Sequence, residues 1–528
     1  MFQASRLSLL DLGVILVYFA GLVLAGWLDK RRVLKARDHF LGGNSASWLR
    51  VGLSLYATTI SAITLVGVTG SAYAHGISVF NYEWPAAILL IVFCACVLPT
   101  YIRSQVYTVP EFLELRYGRF VRTYVSGLSV ILGILLDASG ALFAGGVLFQ
   151  ILFPAWPLWQ VCVLLALLAG AFLILGGLRA ILTIEGIQGV IMVTICACMA
   201  YFTYHAAGGW QEALSKVPPA NLKLVLPASD PVMPWTGLVT GVPLIGFYFW
   251  CTNQTMVQRV LAAKSLDEGR LGSLLGGALK LTSLFLVILP GAAAITLFPH
   301  LDHPDEVFSH IVFEILPHGL TGLIIAACLV SLLSGLAGIY NATSTLLTMD
   351  FIRRLWPNLD DMQLVRAGKW SAAGLMAVSV LWAPQIVHFP GLWQYLQALL
   401  CYFVPPIAAV FLGGLFVRRV NATGAAWALG TGTATSVALF VGIALLHTIP
   451  LHFLVAAIVI FAVALVALFA GSLAAPVPDP EKIVPLMFSR AVWAAETEHL
   501  RGVPWYRNYR YLSVALFAVT TAIVIRFA

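Results

Sequence analysis

The sequence predicts an all-α polytopic membrane protein of about fourteen transmembrane helices, and three observations predict it. Composition is the first: 60% of the 528 residues are hydrophobic and only 10% are charged, which suits no soluble globular class. The second is length. Fourteen apolar stretches follow one another, most of them reaching the ~18–20 residues that cross a hydrocarbon core of roughly 30 Å. The third is charge placement. Threaded through fourteen spans, the chain puts 25 of its 30 Lys and Arg residues on one side; Arg6, Lys216, Lys223 and Arg526 lie on the other, and Lys280 lies inside a span. The positive-inside rule makes the rich side cytoplasmic and sends both termini outside. One miscounted helix would invert every later loop and erase the bias. The net charge of +7 therefore reports topology, not a nucleic-acid partner.

The first helix, 9–27, is too long for a signal peptide and lacks a small-residue cleavage site; Lys30-Arg31-Arg32 anchors its inner end. Apolar stretches at 49–74, 79–101, 122–153, 157–176 and 184–206 make a first block of five. Those at 235–253, 271–297, 319–349, 370–388 and 391–417 make a second, and 423–447, 451–475 and 511–527 close the chain. The longest loops, 207–234, 298–318 and 476–510, are too short for an enzyme domain, and none carries paired carboxylates or a His/Asp motif. His300, His303, His310 and His318 stand among Asp302, Asp305, Glu306 and Glu314, but the prolines around the amphipathic stretch 307–315 read as a solvated lid rather than a metal site. All eight cysteines lie in or beside apolar stretches and read as small packing residues. Asn341 falls within a span and Asn421 on the cytoplasmic side, so neither N-x-T sequon reads as a glycosylation site; with outer termini this favours a bacterial inner membrane.

Polar residues inside spans carry the functional signal. Glu83, Asp137, Glu185 and Lys280 lie in or at the ends of apolar stretches. Each costs about 2.5–3.5 kcal/mol at a helix centre on insertion scales, so each needs a partner or water. Two stretches also look broken. Ser54, Thr58, Thr59, Ser61 and Thr64 precede Gly67 and Gly70 in one; Gly237, Gly241, Pro243 and Gly246 interrupt the other. Unwound backbone at membrane depth is tolerated only where protein covers it or it lines a cavity. The two broken stretches are five apart, the spacing of a five-plus-five inverted repeat.

The stretch Trp250-Cys-Thr-Asn-Gln-Thr-Met-Val-Gln-Arg-Val-Leu-Ala-Ala-Lys264 resembles the signature of the sodium/solute symporter family, in its sodium/glucose cotransporter-like branch. Phe40-Leu-Gly-Gly43, Gly70-Ser-Ala-Tyr-Ala-His-Gly76, Tyr82-Glu-Trp84, Tyr107-Thr-Val-Pro-Glu-Phe-Leu-Glu114, Asn341-Ala-Thr-Ser-Thr-Leu-Leu-Thr-Met-Asp350 and Pro504-Trp-Tyr506 extend the likeness over nearly the whole chain. The resemblance implies one transmembrane transporter domain, 1–528, with a LeuT-like core: repeat one at about 49–206, repeat two at about 235–417, and C-terminal helices at about 423–527.

It also implies roles, residue by residue. A sodium ion would take carbonyls of Ala57 and Ile60 on the first broken helix, together with Ser331 and Ser334; Gly335 replaces an expected hydroxyl ligand. Glu83, Lys280 and Gln397 would bind substrate, their carboxylate, ammonium and amide suiting a polyhydroxylated solute. Thr59 and Thr64 stand where a galactose-carrying member has amides, Gly246 where it has asparagine, and Phe249 where it has the inner gate tyrosine. Glu185 and Asp137 would lie on the ion path. The function implied is sodium-coupled symport of a sugar or polyol by alternating access, with sodium as the coupling ion, the lipid bilayer as surroundings and no obligatory protein partner. The alternative is proton-coupled or weakly coupled transport of another small solute, which Gly335 motivates.

Overall fold

The computed structural model describes residues 7–28, 46–106, 108–150, 155–175 and 178–528; the side chains of 22–28, 171–186, 361, 492 and 499 lie outside that description. Among the described residues every predicted apolar stretch is helical, and the only β pairings are two isolated bridges. Nine helices are long and apolar enough to cross a membrane unaided, again among the described residues. The remaining crossings are short or broken. Ala62–Ser104, at 43 residues, would run for about 65 Å as one straight helix, twice the hydrocarbon thickness. It is interrupted at Gly76, where φ is +72° and an added Cβ would collide with Asn221, and so serves as parts of two spans.

Among the described residues three spans are broken. Trp48–Thr59 gives way to Ala62–His75 at Ile60 and Ser61, and Trp235–Val239 gives way to Gly241–Phe247 at Thr240. The third break was not expected. The stretch 391–417, read as one span, bends by 53° between Leu392–Phe403 and Pro405–Phe416. Pro405 supplies the cause, since proline offers no amide to the preceding turn and its ring crowds it. Two boundaries also move. The span predicted at 370–388 begins at Asp361, where the Asp360 side chain and Gln363 form a reciprocal cap. The span predicted from 184 begins at Leu178, which sets Glu185 inside the helix rather than at its boundary; its side chain lies outside the described residues.

The 298–318 loop is a buried plug, not a solvated lid. Val307, Phe308, Ile311 and Val312 retain no exposure. The amphipathic stretch turns its apolar face onto the Ala62–His75 and Ser139–Gln150 helices, because span ends offer apolar surface that water does not. His303, His310 and His318 each face a different carboxylate, Asp305, Glu314 and Asp11, instead of converging.

Asp11 ties the first helix to this frame. Its buried carboxylate accepts from the amides of Gly319 (2.6 Å) and Gly322 (2.9 Å), capping the Leu320–Leu346 helix from another chain segment. Ser8 and His318 occupy its other oxygen. A charge-assisted cap removes two of the orphan amides that hydrocarbon would otherwise punish. Asp11→Ala is therefore expected to destabilise the protein by about 2 kcal/mol. Thermal unfolding in detergent checks this, and an unchanged midpoint would overturn the capping role.

Candidate functional site

The first break frees carbonyls at membrane depth. With Ile60 at φ −107°, ψ 73° and Ser61 extended, the helical bonds that would occupy the carbonyls of Ala57, Thr58 and Ile60 are lost. Neighbouring hydroxyls are spent on backbone. Thr58 donates to Ser54 (2.8 Å), Thr59 to Leu55 and Tyr56 (3.0 Å each), and Thr64 across the break to Thr59 (2.7 Å). Thr64 thus splints the two halves, and Ala57 and Ile60 keep carbonyls available to a cation.

The Leu320–Leu346 helix packs on the Ala62–His75 half and carries Ser331, Ser334 and Gly335. Ser331 and Ser334 are half-buried, and the Ser334 hydroxyl donates weakly to the Ser331 carbonyl at 3.3 Å. A Cβ built on Gly335 or Gly338 meets nothing within 4 Å. Gly335, Gly338, Asn341 and Thr345 form an exposed strip of small and polar residues along an otherwise apolar span. Such a strip suits water, not lipid. The Leu178–Ala206 helix closes this corner, with Gln188 donating to the Ala327 carbonyl (3.3 Å) and Gly189 set directly against the Leu53 carbonyl.

Glu83 and Lys280 form a buried ion pair, their side chains 3% and 4% exposed. Glu83 ends the Gly76–Tyr82 turn, which Asn81 fixes by donating to the Leu224 carbonyl (2.6 Å) while accepting from the Trp84 indole (2.9 Å). Lys280 comes from the last turn of Leu266–Leu281. Hydrocarbon tolerates both charges because each neutralises the other. Gln397, on Leu392–Phe403, has no hydrogen bond among the described residues. Its helix reaches the Glu83 turn through an edge-on contact between Trp393 and Tyr82, ring centres 6.0 Å apart. Phe249 is half-buried against Trp250 on the second broken span. Asp137 lies within electrostatic reach of Tyr248 on that same span.

Comparison with known proteins decides the identity. The family model for the sodium:solute symporter family matches residues 39–432. The chain belongs to that family. Curated relatives include Sodium/glucose cotransporter 4 of Danio rerio, 34% identical across 80% of this chain and 70% of that protein. Sodium/mannose cotransporter SLC5A10 of Bos taurus is 30% identical across 90% and 89%. A solved Na+-coupled sialic acid symporter shares the fold at a TM-score of 0.73, with 21% identity over 89% of this chain and 99% of that one. The protein is thus a multi-pass membrane transporter of the symporter class, with sodium as coupling ion, and not an enzyme.

In this symporter one end of the core is sealed by a residue that composition and spacing did not single out. Asp305, buried in the plug, accepts from the Leu392 amide at 2.8 Å, and an added Cβ on Gly70 would lie 2.6 Å from its other oxygen. Gln394 donates to Ser71 at 3.0 Å beside it. The plug therefore latches the Ala62–His75 half to the Leu392–Phe403 half. Loop carboxylates in general read as solvated, which hid this one. The exposed strip on Leu320–Leu346 lies on the far side of the core.

Burial pushes the Asp305 carboxyl up to about 7; the Leu392 amide works against that shift and Glu306 adds to it. His303, at 3.5 Å, also faces the carboxylate. An opened plug returns the group to an ordinary value near ~3.9, so protonation favours the latched state. That stabilisation is complete below the ordinary value and is lost as pH rises through about 7. Hydrogen exchange across 304–315, corrected for intrinsic rates, is expected to show stronger protection at pH 6 than at pH 8. In Asp305→Asn the difference should vanish; equal protection in the native protein at both pH values would refute the assignment.

Proposed function

We propose that the protein takes up a sugar or polyol together with sodium, by alternating access across a cytoplasmic membrane, with both termini on the outer face. The observation that carries the substrate class is the buried Glu83–Lys280 pair, together with Gln397, which has no hydrogen bond among the described residues and lies on the helix whose Trp393 meets Tyr82 beside Glu83. A carboxylate, an ammonium and an amide together offer donors and acceptors to several hydroxyl groups. The named substrates of relatives, glucose and mannose, support the same class. Orientation rests on the clustering of 25 of 30 cationic residues on one side.

In this reading sodium binds the carbonyls of Ala57 and Ile60 with Ser331 and Ser334, joining the break to the Leu320–Leu346 helix. Residues 49–206 and 235–417 form the two inverted repeats, and rocking between them exposes the site alternately. The latched plug then closes the outer side while the polar strip beyond Ser334 opens inward. Glu185 belongs to the inner end of the ion path. Moving one charge inward through 100 mV supplies about 2.3 kcal/mol for accumulation.

Two outcomes follow for purified protein in proteoliposomes with imposed sodium or proton gradients. Sodium-driven accumulation of labelled hexose or polyol is expected, and Lys280→Ala and Gln397→Ala should each weaken its half-saturation about tenfold or more. Normal kinetics in both variants would remove the proposed substrate site, and accumulation driven by protons alone would remove sodium from this reading. Separately, Gly335→Ser restores a hydroxyl into open space and should tighten apparent sodium affinity several-fold. Unchanged sodium dependence there would count against the Ser331–Ser334 site.

A further inference from the structure

Most carboxylates at membrane depth in this structure are already committed. Asp11 caps the Leu320–Leu346 helix, Glu83 pairs with Lys280, and Asp350 holds Arg122 (3.3 Å) and the Ser126 hydroxyl (2.5 Å). Asp137 differs. Among the described residues it has no hydrogen bond and no ion pair, and it is half-buried between the buried Leu136 and Ala138. A bare carboxylate is too costly in hydrocarbon to serve packing alone.

Its backbone is specialised. Gly133–Ala138 is a π-helical turn, the kind of local widening that recurs at functional sites. The widened turn is held from both sides: the Ser139 hydroxyl donates to the Ile134 carbonyl at 2.8 Å, and the Tyr395 hydroxyl to the Leu135 carbonyl at 2.5 Å. These contacts also fix the location. Tyr395 stands two residues before Gln397, and a Cβ on Gly140 would lie 3.1 Å from the side chain of Leu396, its immediate predecessor. Tyr248, within electrostatic reach of Asp137, immediately precedes Phe249. The turn that carries Asp137 thus meets the helix that carries Gln397, and Asp137 is within electrostatic reach of the second broken span.

The other acceptors assigned to the site are shared or weak: Glu83 is paired with Lys280, Thr59 and Thr64 offer only neutral hydroxyl lone pairs once their hydrogens are donated to backbone, and Gly246 has no side chain. A polyhydroxylated solute brings several O–H donors that must find acceptors once water is removed. An ionised carboxylate accepts through two oxygens, and its hydrogen bonds are roughly twice as strong as neutral ones. We propose that Asp137 is a specificity-determining residue of the transport site, its carboxylate accepting hydrogen bonds from two adjacent hydroxyls of the sugar or polyol. This deepens the transport reading above and rests on it.

The test uses the full-length protein in proteoliposomes with tritiated glucose, galactose, mannose and sorbitol. Asp137→Asn, which keeps shape and loses charge, should raise the half-saturation of the best substrate tenfold or more, leaving half-saturation for sodium within twofold at saturating sugar. Deoxy analogues lacking a contacted hydroxyl should lose affinity in the native protein and lose little more in the variant. Asp137→Glu should change the rank order of the four solutes. It also serves as the second variant if Asp137→Asn fails to elute as a monodisperse species; an unchanged rank order in a folded Asp137→Glu then overturns the proposal. So does an unchanged sugar half-saturation in Asp137→Asn while Lys280→Ala and Gln397→Ala are impaired, and so does a change confined to sodium or pH dependence, which returns Asp137 to the ion path. Failure of the native protein to accumulate any of the four solutes overturns the sugar reading itself, and this inference with it.

Discussion

Hydrocarbon offers no hydrogen bond, and everything else in this molecule answers to that constraint. A backbone group left open at membrane depth must be covered, turned to water or given a ligand. The helices meet the constraint by default. The informative places are where they do not: Ile60–Ser61, Thr240 and Val404–Pro405. At the first of these the protein covers part of the defect itself, by the Thr64 hydroxyl on the Thr59 carbonyl, and leaves Ala57 and Ile60 open. That partial cover leaves backbone oxygens free at membrane depth, which is what the proposed cation site requires.

Charge inside the core follows the same rule one level up. Glu83 and Lys280 come from different spans and are stable only together. Asp350 and Arg122 join two other spans, and Arg270, buried at 1% exposure, reaches Glu496 at 2.5 Å to hold the Arg490–Leu500 helix. In Glu496, burial raises the carboxyl pKa, but the charge of Arg270 and the hydrogen bonds from Tyr509, Arg270 and Arg510 prevail and lower it. These pairs bind spans from distant parts of the sequence into fixed neighbours. Asp137, which has no such tie among the described residues, stands out against them.

Asp305 shows how a loop becomes part of the machine. It lies outside the spans, yet it is as buried as the core and touches helices that are more than 300 residues apart in sequence. The tight approach of Gly70 leaves no room for a larger residue there, so the latch depends on a glycine in one element and a carboxylate in another. Through that contact the plug is joined to the helix that carries Gln397.

The all-helical, many-times-crossing architecture and the first two breaks were legible in the sequence, because hydropathy and Gly/Pro interruptions are local properties of a chain meeting a bilayer. So were Glu83, Lys280 and Asp137 as residues that hydrocarbon should reject. The bend at Pro405 was within reach of the sequence but was masked by the unbroken apolar run around it. Which carboxylate meets which cation was not legible. Glu83 finds Lys280, Asp11 finds Gly319 and Gly322, and Asp305 finds Leu392 only after helices far apart in sequence have packed. Hydropathy is additive along a chain, and a single chain therefore determines that its apolar segments cross. Pairing depends on the distance between groups in space, and only the tertiary structure decided which polar groups are satisfied and which, among the described residues, are left without a partner.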